Sequence, residues 1–281
     1  LDPIADKVFI AFAYTPFADR GGLVPWWACA LMFTREFFIT ALRSAYEQRD
    51  LSMKTSYIAK AKTWTQMQGI GVMLLFPLVA NRNILFGIIG VGIGLPLVAM
   101  AGLFLVRKKI WMAAFWMSLS FVGLLLVYKF DPVHAPDAVM LGVLAITWIS
   151  GIDYISVGWK QLRGRADFRR ADGVRLLGAL SLPILAYAVL YYTDAPRWTI
   201  FVILAFELAV GGLDNLLSHH KVATKALAWG GRVLGVSVML GAALLLPQFA
   251  VPFSIVAAAG SAGGVIAEFV RGKPYYINAL D

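Results

Sequence analysis

The sequence predicts an all-α polytopic membrane protein of about ten transmembrane segments, and three observations carry that reading. Hydrophobic residues make up 60% of the 281 residues and charged residues only 15%, against about a quarter charged in soluble domains. Apolar runs long enough for the ~30 Å hydrocarbon layer recur along the whole chain. The basic residues between those runs alternate in density from loop to loop. No long polar stretch interrupts the pattern, so no separate soluble domain is expected.

The ten apolar segments fall near 4–17, 24–47, 57–80, 84–106, 110–130, 138–160, 175–192, 197–217, 224–247 and 251–270. The first is short for a full span. Breaker-rich connections such as Ala18-Asp19-Arg20-Gly21-Gly22, Asn81-Arg82-Asn83, Asp131-Pro132 and Thr193-Asp194-Ala195-Pro196 separate them, as expected of turns. Placing the start of the first segment in the cytoplasm puts eighteen basic residues, Arg43 to Lys273, in the inward loops. The outward loops keep four: Arg20, Arg82, Lys129 and Arg197. That asymmetry follows the positive-inside rule. It also accounts for the net charge of +9 without nucleic acid as a partner. The expected location is a bacterial inner membrane with the Asp2 end facing the cytoplasm.

Trp26, Trp27, Trp111, Trp159, Trp198 and Tyr275 lie near segment ends and read as interface anchors. The single Cys29 lies in an apolar run and reads as a packing residue. Gly90-xxx-Gly94 and Gly260-xxx-Gly264 could admit close helix packing.

Charges inside the apolar segments are the candidate functional residues. Asp2 and Asp6 are four apart and share a face if helical. Two readings fit them: capping of a helix start, or service to a metal, a proton or a partner. In the second segment, Glu36, Thr40 and Arg43 form one stripe with Arg35 beside it. The third segment opens with Lys60, Lys62, Thr63 and Gln66; the two lysines read equally as an ordinary inner flank. Carboxylates suit Mg2+ or Mn2+, and Arg and Lys suit phosphate. A divalent metal beside a basic pocket at the lipid surface suggests phosphoryl or phosphatidyl chemistry.

Leu1-Asp2-Pro3-Ile4-Ala5-Asp6-Lys7 resembles the end of the CDP-alcohol phosphotransferase signature, D-x2-D-G-x2-A-R-x8-G-x3-D-x3-D. Asp2 corresponds to its third Asp and Asp6 to its fourth. Arg35-Glu36-Phe37 with Thr40 and Arg43, Lys60-Ala61-Lys62-Thr63 with Gln66, and Trp148-Ile-Ser-Gly-Ile-Asp153-Tyr154 with Trp159 are similar to the glycerophosphate-accepting branch of that family. The resemblance covers about 1–163. It implies transfer of the phosphatidyl group of CDP-diacylglycerol to glycerol 3-phosphate with release of CMP, and a homodimer. It implies Asp2 and Asp6 as ligands of Mg2+ or Mn2+, Asp6 also as general base, and Arg35, Arg43, Lys60, Lys62, Thr63 and Gln66 as substrate-binding residues.

Two departures follow. The first half of the signature is absent and residue 1 is Leu, so the sequence is expected to be a fragment or processed chain, inactive as it stands. Segments 84–130 read as an added hairpin, and 164–281 as a C-terminal transmembrane extension of unknown role. In that extension Glu207, Asp214, Arg232 and Glu268 are most simply structural acid–base partners. His219-His220 reads as solvated surface. Ser150-Gly-Ile-Asp153-Tyr154-Ile loosely recurs as Gly211-Gly-Leu-Asp214-Asn215-Leu. Alternatives to the leading function are a different acceptor alcohol, or a non-catalytic transporter or scaffold.

Overall fold

The computed structural model describes the backbone of residues 2–47, 49, 51, 57–108, 110–163, 170–219 and 226–276; within these, the side chains of 2–4, 57–61, 153, 157–163, 171, 216, 218–219, 226–229 and 274–276 lie outside the description. The described residues form ten α-helices and no strand. They are α1 (Asp2–Tyr14), α2 (Trp26–Glu47), α3 (Tyr57–Leu78), α4 (Arg82–Arg107), α5 (Met112–Phe130), α6 (Ala135–Arg163), α7 (Arg170–Tyr192), α8 (Arg197–His219), α9 (Ala226–Leu245) and α10 (Ala250–Tyr276). Each predicted apolar segment corresponds to one helix.

Helices and membrane spans are not the same set. Among the described residues, six helices are long and apolar enough to cross a membrane: α4, α5, α6, α7, α8 and α10. A shorter apolar stretch, Gly230–Leu245, lies in α9. The fold is therefore an all-helical polytopic membrane architecture, with α1, α2 and α3 outside the six. In α2 the reason is visible in its sequence: Arg35, Glu36, Arg43 and Glu47 interrupt an otherwise apolar helix.

The chain divides into two compact units, Leu1–Lys60 with Leu144–Asp281, and Ala61–Val143. The boundary falls inside α3 and inside α6. In the second unit, α4 and α5 pack as a hairpin around Val72, Leu85, Ile89 and Leu124. Asn81 caps α4, its side-chain oxygen accepting from the N–H groups of Asn83 (2.9 Å) and Ile84 (3.3 Å). Ser118 donates to the carbonyl of Ile93 at 2.8 Å, and Gln68 to Ser120 at 2.7 Å. These two helices span the stretch 84–130 read from the sequence as a hairpin.

The first unit is the larger. Within it α2 packs on α7 and α8, α1 on α8, α7 on α9, and α10 on α8 and α9. The C-terminal helices thus lie directly on α1 and α2. Phe33 stacks on Tyr187 with ring centroids 5.8 Å apart, and Phe12 on Phe201 at 5.6 Å. Where the α1–α2 and α7–α8 connections meet, Arg20 donates to the carbonyls of Tyr191 (2.5 Å) and Thr193 (2.8 Å), and Arg197 pairs with Asp19 at 2.6 Å.

Candidate active site

Helix α2 follows Pro25 and is rich in Ala, Met, Leu, Phe, Arg and Glu, mostly strong helix formers. Its two threonines would be costly inside the bundle without partners. Thr34 returns its hydroxyl to the carbonyl of Ala30 (2.8 Å) and Thr40 to that of Glu36 (2.6 Å), the local bonding such residues favour within helices. Sixteen residues of α2 are buried, Arg35 and Glu36 among them.

The Arg35 guanidinium is engaged on two sides. Nη1 donates to Glu36 Oε1 at 3.2 Å, and Nη2 donates to Ser150 Oγ at 3.0 Å. Ser150 in turn donates to the carbonyl of Thr147 at 2.7 Å. Trp148 Nε1 donates to the carbonyl of Leu31 at 3.2 Å. The stretch Trp148–Gly151 of α6 is therefore the surface on which Arg35 rests. Gly151 leaves room for this approach: a Cβ at that position would stand 3.0 Å from Arg35 Nε. Two sequence motifs singled out separately, on α2 and on α6, meet at this point.

Helix α1 reaches α2 through Lys7, whose Nζ donates to Thr40 Oγ1 at 2.6 Å. With Cys29 Sγ of α2 lying 3.9 Å from the carbonyl of Tyr14 at the far end of α1, the two contacts run in opposite order along the two helices, which are therefore antiparallel. Asp6 is exposed and Arg43 half-buried. Lys7 was not among the residues expected from the sequence. Its signal was its position, next to Asp6 and at the mouth of an apolar run, where a lone ammonium needs an oxygen partner.

The remaining expected residues are placed as follows. Asp2 lies in α1 one turn before Asp6, with its side chain outside the described residues. Lys60 lies in α3, also with its side chain outside them. Lys62 and Thr63 are half-buried and Gln66 is fully buried, all on the part of α3 that belongs to the second unit. His219 lies in α8 with its side chain outside the described residues, and His220 lies outside them altogether. A hard divalent cation needs several oxygen donors. Among the described residues no group of three or more His, Cys, Asp or Glu could hold one. Asp6, with Asp2 one turn before it on α1, supplies donors of the right chemistry.

The model of the CDP-alcohol phosphatidyltransferase family matches residues 1–122. A Mycobacterium tuberculosis protein named "Probable phosphatidylglycerophosphate synthase" is 40% identical over 75 residues, 27% of this chain and 35% of that protein. Proteins named CDP-diacylglycerol–glycerol-3-phosphate 3-phosphatidyltransferase are similar over comparable stretches. The Cereibacter sphaeroides protein is 34% identical over 77 residues, 27% of this chain and 35% of its own length. The Sodalis glossinidius protein is 37% identical over 82 residues, 27% of this chain and 44% of its own length. The chain thus spans about a third to under a half of the curated relatives it matches. No solved structure matches it. The stretch similar to the CDP-alcohol phosphatidyltransferase family, residues 1–122, holds α1, α2, α3, α4 and the first part of α5.

Proposed function

We propose that the protein is a membrane phosphatidyltransferase that moves the phosphatidyl group of CDP-diacylglycerol to glycerol 3-phosphate and releases CMP. The observation that supports this reading is the Lys7–Thr40 bond, which ties the helix that carries Asp6 to the helix that carries Arg43. An acceptor that is both a nucleophile and a phosphate ester needs a base and a cation near one another. The family match over residues 1–122 and the printed names of the relatives support the same chemistry.

In this reading Asp6 takes the proton from the acceptor hydroxyl. The hydroxyl oxygen attacks the phosphorus bonded to diacylglycerol, and the bond from that phosphorus to the bridging oxygen breaks. CMP leaves with the bonding electron pair. Mg2+ or Mn2+, held by Asp2 and Asp6 with further donors, would supply positive charge to the phosphate oxygens as that bond breaks. Arg43 binds the phosphate of glycerol 3-phosphate. Arg35 contributes its charge from beneath, held by Glu36 and Ser150. Lys60, Lys62, Thr63 and Gln66 are assigned to substrate on the motif resemblance alone. The basic asymmetry of the loops favours a cytoplasmic face of a bacterial inner membrane, and the family resemblance favours a homodimer.

The test is CMP release by the full-length protein in lipid nanodiscs, with glycerol 3-phosphate, inositol phosphate and serine as alternative acceptors. Turnover is expected with glycerol 3-phosphate. Asp6→Asn should lower it by about 10²–10⁴-fold. Near-normal turnover by that variant overturns the base assignment. CMP release with another acceptor alone overturns the acceptor assignment, and none with any acceptor overturns the function.

A further inference from the structure

The C-terminal helices close a polar triangle around the end of α2 that carries Arg43. On the first side, Arg49, just past α2, donates from Nη2 to Asp172 Oδ2 on α7 at 2.6 Å. Its Nη1 also donates to the carbonyl of Ala45 at 2.8 Å, so this guanidinium caps the last turn of α2 as well. On the second side, Arg175 of α7 pairs with Asp214 of α8 at 3.3 Å. On the third, Ser44 of α2 donates to Asn215 Oδ1 of α8 in a short hydrogen bond. Asp172 and Arg175 are one turn apart on α7, and Asp214 and Asn215 are neighbours on α8. Each of the three helices is therefore tied to both others at one level of the bundle.

The groups in this triangle are shielded from solvent. Arg175 is fully buried, Ser44 is 1% exposed and Asp172 3%. Asp172 lies in the first turn of α7, where the helix dipole favours a negative charge. Surface ion pairs contribute little, but groups this deep are costly to separate. The geometry fixes the rotation of α2 about its axis at Ser44. Arg43 is the adjacent residue, about 100° round the helix, so its direction follows from that of Ser44. None of these bonds involves Asp6 or Arg43.

We propose that the α7–α8 hairpin aims Arg43 at the acceptor phosphate, with Asn215 and Asp172 as positioning residues. This inference rests on the proposed function and adds to it a role for helices beyond the family match. The chemistry at Asp6 would then be largely indifferent to these two residues, while acceptor binding would depend on them.

The experiment measures CMP release by the full-length protein in nanodiscs and separates kcat from the KM values for glycerol 3-phosphate and CDP-diacylglycerol. Asn215→Ala and Asp172→Asn are each expected to raise the KM for glycerol 3-phosphate about tenfold, with kcat and the KM for CDP-diacylglycerol within about twofold. Asp172→Glu, which keeps the carboxylate, should restore most of the loss. The double variant Ser44→Ala/Asn215→Ala should be no worse than Asn215→Ala, because both remove one bond. Should a variant fail to reach the membrane, Ser44→Ala, which loses a single oxygen, carries the same KM test. Unchanged KM for glycerol 3-phosphate in active, folded variants overturns the inference and leaves the proposed function standing. A fall in kcat alone, tracking the fraction of folded protein, also overturns it. A wild-type protein that releases no CMP overturns both.

Discussion

Glu207 illustrates what a single charge costs in this molecule. It is fully buried on α8 and accepts two bonds from Arg232 of α9, at 3.0 Å each. The arginine is pressed from the other side by Gly264 of α10, where a Cβ would collide with its side chain. A guanidinium held on both sides has nowhere to go once its carboxylate is removed. Glu207→Ala should therefore destabilise the protein by about 3–5 kcal/mol, while Glu207→Leu with Arg232→Leu should recover most of that loss. Thermal unfolding in detergent measures both. This pair was legible in the sequence because each charge stands alone in an apolar run. Arg175 was not. It closes a basic loop and reads as an inner flank, yet it folds to complete burial against Asp214. Lys7, Ser44 and Asn215 were silent for a different reason. Small or single polar residues acquire meaning only from a partner 33 or 171 residues away, and local sequence carries no trace of that distance.

At the scale of elements, the apolar runs located the helices because hydrophobic length is what a bilayer selects. The predicted run 57–80 became Tyr57–Leu78 and 84–106 became Arg82–Arg107. The last helix extends past its run, to Tyr276, because hydrogen bonding along the backbone continues where hydropathy stops. The count of spans was less legible than the count of helices. A helix such as α2 buries its charges against protein, so its composition understates how deeply it sits among its neighbours. The start of α6 offers a test of local electrostatics. Asp131 accepts from the backbone N–H of His134 at 3.2 Å and contacts its ring nitrogen at 2.9 Å. These bonds, the backbone one foremost, hold its carboxyl below the ordinary carboxylate value. A group lowered by folding stabilises the folded state above its unfolded pKa, and that contribution is lost as pH falls through the folded value. Asp131→Asn should thus lower the melting temperature slightly at neutral pH. The difference from wild type should vanish in acid below the usual carboxylate range; a difference that persists there would contradict a stabilising role for the Asp131 charge.

At the scale of the whole molecule, the sequence drew a boundary near residue 163 between a family-like part and an extension. Spatial packing groups residues 1–60 with 144–281. The two divisions answer different questions, one about ancestry of motifs and one about contact. The extension holds α1 and α2 at both ends: Arg20 and Arg197 with the Thr15–Tyr187 bond (3.0 Å) one turn further in, and the polar triangle at the other end. A full-length protein ended after residue 163 would expose Phe33, Tyr14 and Ser44, all buried in the intact chain. We expect that truncation to fall at least about tenfold in membrane-fraction abundance and to lose CMP release, as loss of many buried contacts at once demands. Quantitative immunoblotting of membranes reads the first and the nanodisc assay the second. The membrane class and the α1–α2 motif were legible because they are local in sequence. The bracing was not, because it depends on which faces meet.

The Arg49–Asp172 pair spans 123 residues of chain, and that interval is also an interval of time. At ordinary rates of synthesis, α2 leaves the ribosome about 6 to 25 seconds before α7 does. During that wait its polar end has no α7 or α8 to lean on. On the proposed reading, nascent chains pass through a stage in which Arg43 has been made but is not yet held in direction. On the same reading, a ribosome that stalls midway would leave behind a chain whose hold on the acceptor phosphate is weak.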